Sequence, residues 1–214
     1  MEQQNRHFYE PALGHGLAHD PFNAIVGPRP IGWISSVSAE GLVNLAPYSF
    51  FNAFNYRPPI VGFSSIGWKD TVANIEATRS FVWNLATKGL AEQMNMSCAP
   101  VDPQVDEFDL AGLRAAPSRL VTAPRVADSP VSFECALTQL IQLQGKDGSK
   151  AESWLVLGEV IGVHIDPAFI VEGVYQTALA EPILRAGGPT SYFSITPENE
   201  FHMTRPSAGQ AAFG

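Results

Sequence analysis

Apolar and polar positions alternate with a period of two along much of this chain, which predicts strands more than helices. Ile31, Trp33, Ser35 and Val37 share one face of a predicted strand over 31–38, and Gly32, Ile34 and Ser36 share the other. Further strands are predicted at 42–46, 60–65 and 81–86. Val131, Phe133, Cys135 and Leu137 fall on one face of a strand running to 143, with Glu134 pointing the other way. A second long strand, dense in Leu, Val and Ile, is predicted from Trp154 to Asp166. Between them, Gly145 to Lys150 contains Asp147-Gly148, a strong hairpin signal. Two long strands around such a turn make an antiparallel pair, as a closed or partly closed barrel needs.

Helical spacing is sparse. The pattern predicts a helix over 71–78, one over 88–98 with Leu90, Met94 and Cys98 on a stripe, and a short one near Asp106 to Leu113. The proline-rich stretch from 99 to 130 reads as a long irregular excursion. Seventeen prolines and eighteen glycines agree with a turn-rich, mainly β chain. At 214 residues the sequence suffices for one domain, 1–214, with an N-terminal arm over 1–20 and a C-terminal tail over 196–214.

The net charge of −8 argues against nucleic acid and anionic membranes as partners. Cys98 and Cys135 are far apart and form no C-x-x-C, which suits reduced thiols. The polar start of the chain predicts no signal peptide, and no apolar run reaches the length of a membrane span, so a cytoplasmic location is expected. His15 and His19 have a helical metal spacing, but Gly14 and Gly16 oppose a helix there, and no metal is expected.

The chemistry concentrates between Arg29 and Thr71. Ser64, Ser65, Lys69, Asp70 and Thr71 stand directly before the helix predicted at 71–78. A helix N-terminus offers free N–H groups and partial positive charge to an anion, Lys69 adds a full charge, and the hydroxyls add neutral donors. Asp70 supports a competing reading, an ordinary helix whose N–H groups the carboxylate itself caps. Asn44-Leu45-Ala46-Pro47-Tyr48-Ser49-Phe50-Phe51-Asn52 contains a proline that a central strand excludes, so it reads as a strand end passing into an edge or loop. There Ser49 and Asn52 can bond a polar ring edge, while Phe50, Phe51 and Phe54 serve either as core or as contacts. Trp33 beside Ser35 reads as packing with one hydroxyl at a rim.

In order, these blocks resemble the flavin reductase-like family of FMN-binding split β-barrels. The likeness runs from about Phe8 to Tyr192 and includes His19 to Ser35, Asn44 to Asn52, Lys69 to Thr78 and Phe81 to Leu85. It continues through Val105 to Leu113, Ser129 to Cys135, Gly158 to Asp166 and Leu184 to Tyr192. The resemblance implies that Arg29, Trp33, Ser35, Asn44, Ala46, Ser49, Phe50, Phe51 and Asn52 line the ring and ribityl chain. It assigns the phosphate to Ser64, Ser65, Lys69 and Thr71, and places His164, Arg185 and Tyr192 in segments that approach the flavin or a dimer seam. Trp68, before Lys69, departs from the smaller residue expected and would narrow the phosphate mouth or stack on the cofactor.

No Rossmann G-x-G-x-x-G is present, so NADH or NADPH would act as a transient co-substrate stacked on the flavin. Walker A, H-E-x-x-H and G-x-S-x-G motifs are also absent, and no catalytic side chain is nominated. The expected activity is an FMN-dependent oxidoreductase, an NAD(P)H:flavin reductase passing electrons to oxygen, a partner oxygenase or a small acceptor. The alternative is a non-catalytic FMN carrier or sensor, and the family implies a homodimer.

Overall fold

The computed structural model describes residues 6–206; the first five residues of the expected arm and residues 207–214 of the expected tail lie outside the described residues. Seven strands build the main sheet: β1 (Gly32–Val37), β2 (Val43–Tyr48), β3 (Phe51–Tyr56), β4 (Pro59–Ile66), β5 (Ser80–Asn84), β6 (Val131–Gln144) and β7 (Lys150–Ile165). Helix α1 (Phe22–Ile25) precedes them and α2 (Asp70–Thr78) joins β4 to β5. Helix α3 (Ala91–Met96) precedes the excursion, and α4 (Glu107–Leu110) lies within it, before β6. The spatial order is β2-β1-β5-β6-β7-β4-β3, with every neighbouring pair antiparallel.

The two edges of this sheet are consecutive in the chain. Only Ser49 and Phe50 separate the end of β2 from the start of β3, so the sheet must curl until its edges approach. The Ser64 N–H donates to the Phe50 carbonyl at 2.8 Å, which extends the β3–β4 pairing into this short link. The result is a mainly β, antiparallel split barrel. The β6–β7 hairpin turns where Asp147-Gly148 signals it: Asp147 Oδ1 accepts the Ser149 N–H at 3.0 Å, and Gly148 sits at φ +82, a region that favours glycine.

Strand β1 is buried on both faces, and its alternation divides two cores. Ile34 points into the barrel with Phe63, Phe81, Trp83 and Val156, where Phe51 stacks on Trp83 at 5.4 Å. Ile31 and Trp33 point outward into a second cluster with Leu45, Met94, Phe108 and Val126, roofed by α3 and α4. The Trp33 Nε1–H donates to Ser97 Oγ at 3.0 Å. Trp33→Phe should therefore destabilise the fold by about 1 kcal/mol, the typical worth of one such bond, while leaving ligand affinity at the cleft described below unchanged. Urea melts and a ligand titration of the same variant check both halves.

The β2 edge is blunted by a carboxylate. Glu107, on α4, accepts the Leu45 N–H and the Asn44 Nδ2–H, each at 3.0 Å. The bond to Leu45 satisfies a backbone donor on an edge strand that no further strand pairs. Pro47 is tolerated because β2 is an edge. Strand β3 was not separable from a loop in the sequence because it is exposed from Asn52 onward, so burial imposes no alternation on it. The helix expected over 88–98 begins as a single 3-10 turn, Lys88–Leu90, and only then becomes α3. Among the described residues, no helix is long and apolar enough to cross a membrane.

Candidate functional site

A cleft of about 560 Å³ opens where β2, β4 and α2 meet, closed on its far side by Ser97 to Val101 and Glu107. Alternation on β2 places Asn44, Ala46 and Tyr48 on its wall, and β4 contributes Ser64 and Ile66. Lys69, Asp70 and Thr71 form the start of α2 at one end of this space.

That helix end is not capped by its own side chains. Lys69 is the N-cap residue, its side chain makes no capping bond, and Asp70 is already inside the first turn. The competing reading, in which Asp70 caps the helix, is therefore not what forms. The first turn's bonds to the Lys69 carbonyl come from Val72 at 2.9 Å and Ala73 at 3.1 Å. The N–H groups of Asp70 and Thr71 lie ahead of them and remain available to an anion. The Thr71 hydroxyl donates to Asn44 Oδ1 at 2.7 Å. Its proton is committed there, so Thr71 offers its backbone N–H.

Tyr48 is the residue that reading the sequence missed. Its ring packs on Phe63 with centroids 4.4 Å apart, and its buried Oη has no hydrogen-bond partner among the described residues. Burial pushes the phenol pKa up, against the pull of the nearby Thr71 and Ser65 hydroxyls. A buried polar atom without a partner costs about 1–3 kcal/mol. Its place on the cleft wall makes it a candidate donor to a ligand. The period-two spacing Asn44, Ala46, Tyr48 carried the signal. Glu107 carried none, because it reaches β2 from 62 residues away. Tyr48→Phe should leave the ligand-free protein as stable or more stable, and weaken binding of an anionic ligand about fivefold. Paired thermal melts with and without ligand read both.

Of the residues nominated from the sequence, Asn44, Ala46, Ser49, Phe50, Ser64, Lys69 and Thr71 come together on this cleft. Arg29 and Arg185 line an adjoining cleft of about 270 Å³ that shares Asn23 and Ser49 with the first. Arg29 donates to the carbonyls of Ser49, Asn23 and Val26, and its ring neighbour is Phe50 at 5.3 Å. Burial, together with the charge of Arg185, pushes the Arg29 pKa down. Arg185 donates to the carbonyls of Ala186, Gly188, Pro189 and Ser191 and lies over the Tyr192 ring at 5.0 Å. Both arginines tie backbone segments together, and they contribute positive field more than free donors.

The others stand elsewhere. Trp33 is sealed in the outer core, and Ser35, fully buried, donates to the Pro124 carbonyl. Phe51 belongs to the barrel core, and Asn52 is exposed on β3, accepting the Ala53 N–H at 2.8 Å. Ser65 points opposite to Ser64, as alternation requires, and donates to the Gly67 carbonyl at 2.9 Å. Trp68 neither narrows the cleft nor lines it, because it packs edge-on against Trp154 at 5.3 Å. His164 lies nine positions along β7 from Leu155, the partner of Ser64. That is roughly 30 Å of strand, and within one protomer His164 lines a different cavity.

The chain belongs to the flavin reductase-like family: the model of the flavin reductase like domain matches residues 27–177. An uncharacterized protein of Aquifex aeolicus is 34% identical over 170 residues, covering 77% of this chain and 83% of that one. Among solved structures, 2-nitrobenzoate 2-nitroreductase NbaA of Pseudomonas fluorescens is 32% identical, covers 87% of this chain and 89% of its own, and superposes with a TM-score of 0.76. Nitrilotriacetate monooxygenase component B of Bacillus cereus is 27% identical over 87% of this chain and 98% of its own, with a TM-score of 0.78.

Proposed function

We propose that the protein is an FMN-dependent oxidoreductase, with NADH or NADPH as a transient electron donor. The observation that carries this reading is the donor set at the start of α2: two uncommitted N–H groups, the Lys69 charge, the Ser64 hydroxyl and the unpartnered Tyr48 Oη. These would hold a phosphate monoester. Asn44, Ala46, Ser49 and Phe50 continue the wall away from it and would receive the rest of the cofactor. When bound, FMN supplies hydride acceptance and onward electron transfer. The protein's own part is to bind, orient and exclude water. Hydride transfer needs no general base, and the reading nominates no catalytic side chain.

The acceptor is proposed by class as oxygen, a small reducible molecule or a partner oxygenase. The names of the two solved neighbours, a nitroreductase and a monooxygenase component, favour that range. A homodimer belongs to the same proposal. An apolar groove beside β3 and β7, lined by Tyr56, Ile60, Phe133, Ile161 and Val163, gives it a surface, and Tyr56 and Val163 are more than half exposed there.

The test is spectroscopic. Protein supplied with FMN and separated from excess should keep flavin bands near ~370 and ~450 nm, and anaerobic NADH or NADPH should bleach them within seconds. Bands that survive both donors yet bleach with dithionite would replace the reductase with a carrier. A protein that retains no FMN would remove the cofactor assignment.

A further inference from the structure

A second cavity, about 930 Å³, shares no lining residue with the cleft at α2. It lies where the C-terminal end of β7 meets the segment from Arg119 to Pro130. Its floor is built around Glu134, which projects outward from the barrel and is fully buried. Glu134 Oε1 accepts the Arg119 N–H at 2.8 Å, and Oε2 accepts those of Leu120 at 2.6 Å and Val121 at 3.1 Å. The fourth bond comes from His164 Nε2. One carboxylate thus anchors the backbone that carries Arg119 and orients the His164 ring at the cavity wall.

The charges on this wall are unevenly matched. Asp128 is paired with Arg114, whereas Asp166 accepts only the neutral Ala168 N–H and keeps its charge on this wall. Glu134 is saturated by the four bonds above. Arg125 donates only to the neutral Pro117 carbonyl, at 3.2 and 3.3 Å, and the Arg119 guanidinium has no acceptor among the described residues. Two arginines without a carboxylate partner therefore face one cavity, against the single unpaired carboxylate of Asp166. Guanidinium groups match phosphate and carboxylate oxygens in a planar, two-pronged geometry. Leu120, Ile165 and Phe169 supply apolar wall beside them.

We propose that this cavity is a second binding site, for a small organic anion with a phosphate or carboxylate group on an apolar body. Arg119 and Arg125 take the anionic group, His164 flanks it, and the apolar wall takes the body. The assignment stands independently of the flavin reading, since the two cavities share no residue.

Isothermal titration of protein supplied with FMN and separated from excess, so that only the first cleft is filled, separates the two ligand sources. Phenyl phosphate is one probe and phthalate the other. At least one should bind with a dissociation constant below about 1 mM, and the stronger identifies the group preferred. Arg119→Ala with Arg125→Ala should weaken that binding at least tenfold, with thermal stability and the flavin spectrum unchanged, and Arg119→Lys should recover part of it. Failure of both probes to bind the wild type would overturn the site. So would binding that survives in the double variant.

Discussion

Replacing Glu134 with Gln is expected to destabilise the protein by about 3 kcal/mol, the low end for breaking a buried, charge-assisted network from one side. The carboxylate accepts at both oxygens: Arg119 N–H and His164 on one, Leu120 and Val121 N–H on the other. An amide offers one oxygen and one NH2 group. Whichever way it is turned, a donor meets at least one backbone N–H and leaves it unpaired. For a chain of this size the loss should lower Tm by roughly 6–12 °C.

The same group gives the acid limb of the stability curve a defined origin. Burial alone would raise the Glu134 pKa, but the bonds from His164 and from the N–H groups of Arg119, Leu120 and Val121 outweigh it and hold it at about 2, below the ordinary 4.5. A depressed carboxylate pKa contributes stability that is complete above the unfolded value and is lost as pH falls through the folded one. The contribution should therefore be full above about pH 4.5 and disappear towards pH 2. Denaturant melts of wild type and Glu134→Gln should converge across that window. A gap that stays constant down to pH 2 would mean that the carboxylate's charge is not what stabilises the loop.

Lys69→Ala should raise the FMN dissociation constant about thirtyfold. One charge-assisted phosphate contact is worth roughly 2 kcal/mol, and tenfold in affinity is about 1.4 kcal/mol. Among the described residues, Lys69 is the only lysine or arginine on the cleft wall. In the proposed site its charge would act on the phosphate and not on the ring, so the rate of flavin reduction at saturating FMN should change less than twofold. Fluorescence titration gives the first quantity and stopped-flow bleaching the second. An unchanged affinity would move the phosphate away from α2. High salt should narrow the difference, since Lys69 is exposed to solvent.

The contrast between Ser64 and Ser65 illustrates what a sequence can and cannot assign. Both hydroxyls precede the same helix, and both suit a phosphate by type. Strand periodicity permits only one of them to reach the cleft, and which one depends on where the barrel interior lies. Phe63 and Ser65 point inward, leaving Ser64 to the cleft. Trp33 and Phe51 are similar cases. Each lies inside a block that belongs to the site region, but each serves a core that forms from distant segments. Tyr48 is the converse: its spacing from Asn44 and Ala46 already placed it, while its type suggested only packing.

Local pattern by itself determined the strands of the sheet other than β3, the position of α2 and the Asp147-Gly148 hairpin, and it nominated Lys69 to Thr71 as a candidate anion site. These follow from period, turn chemistry and helix-end electrostatics, which act over a few neighbouring residues. Only the tertiary structure decided the curl that brings β2 and β3 together, the withdrawal of Trp33 and Ser35, the Glu107 bridge to β2 and the Glu134–His164 anchor. Each of those depends on contacts between segments tens of residues apart. Such contacts form because buried backbone and carboxylate groups must find partners, wherever in the chain those partners lie.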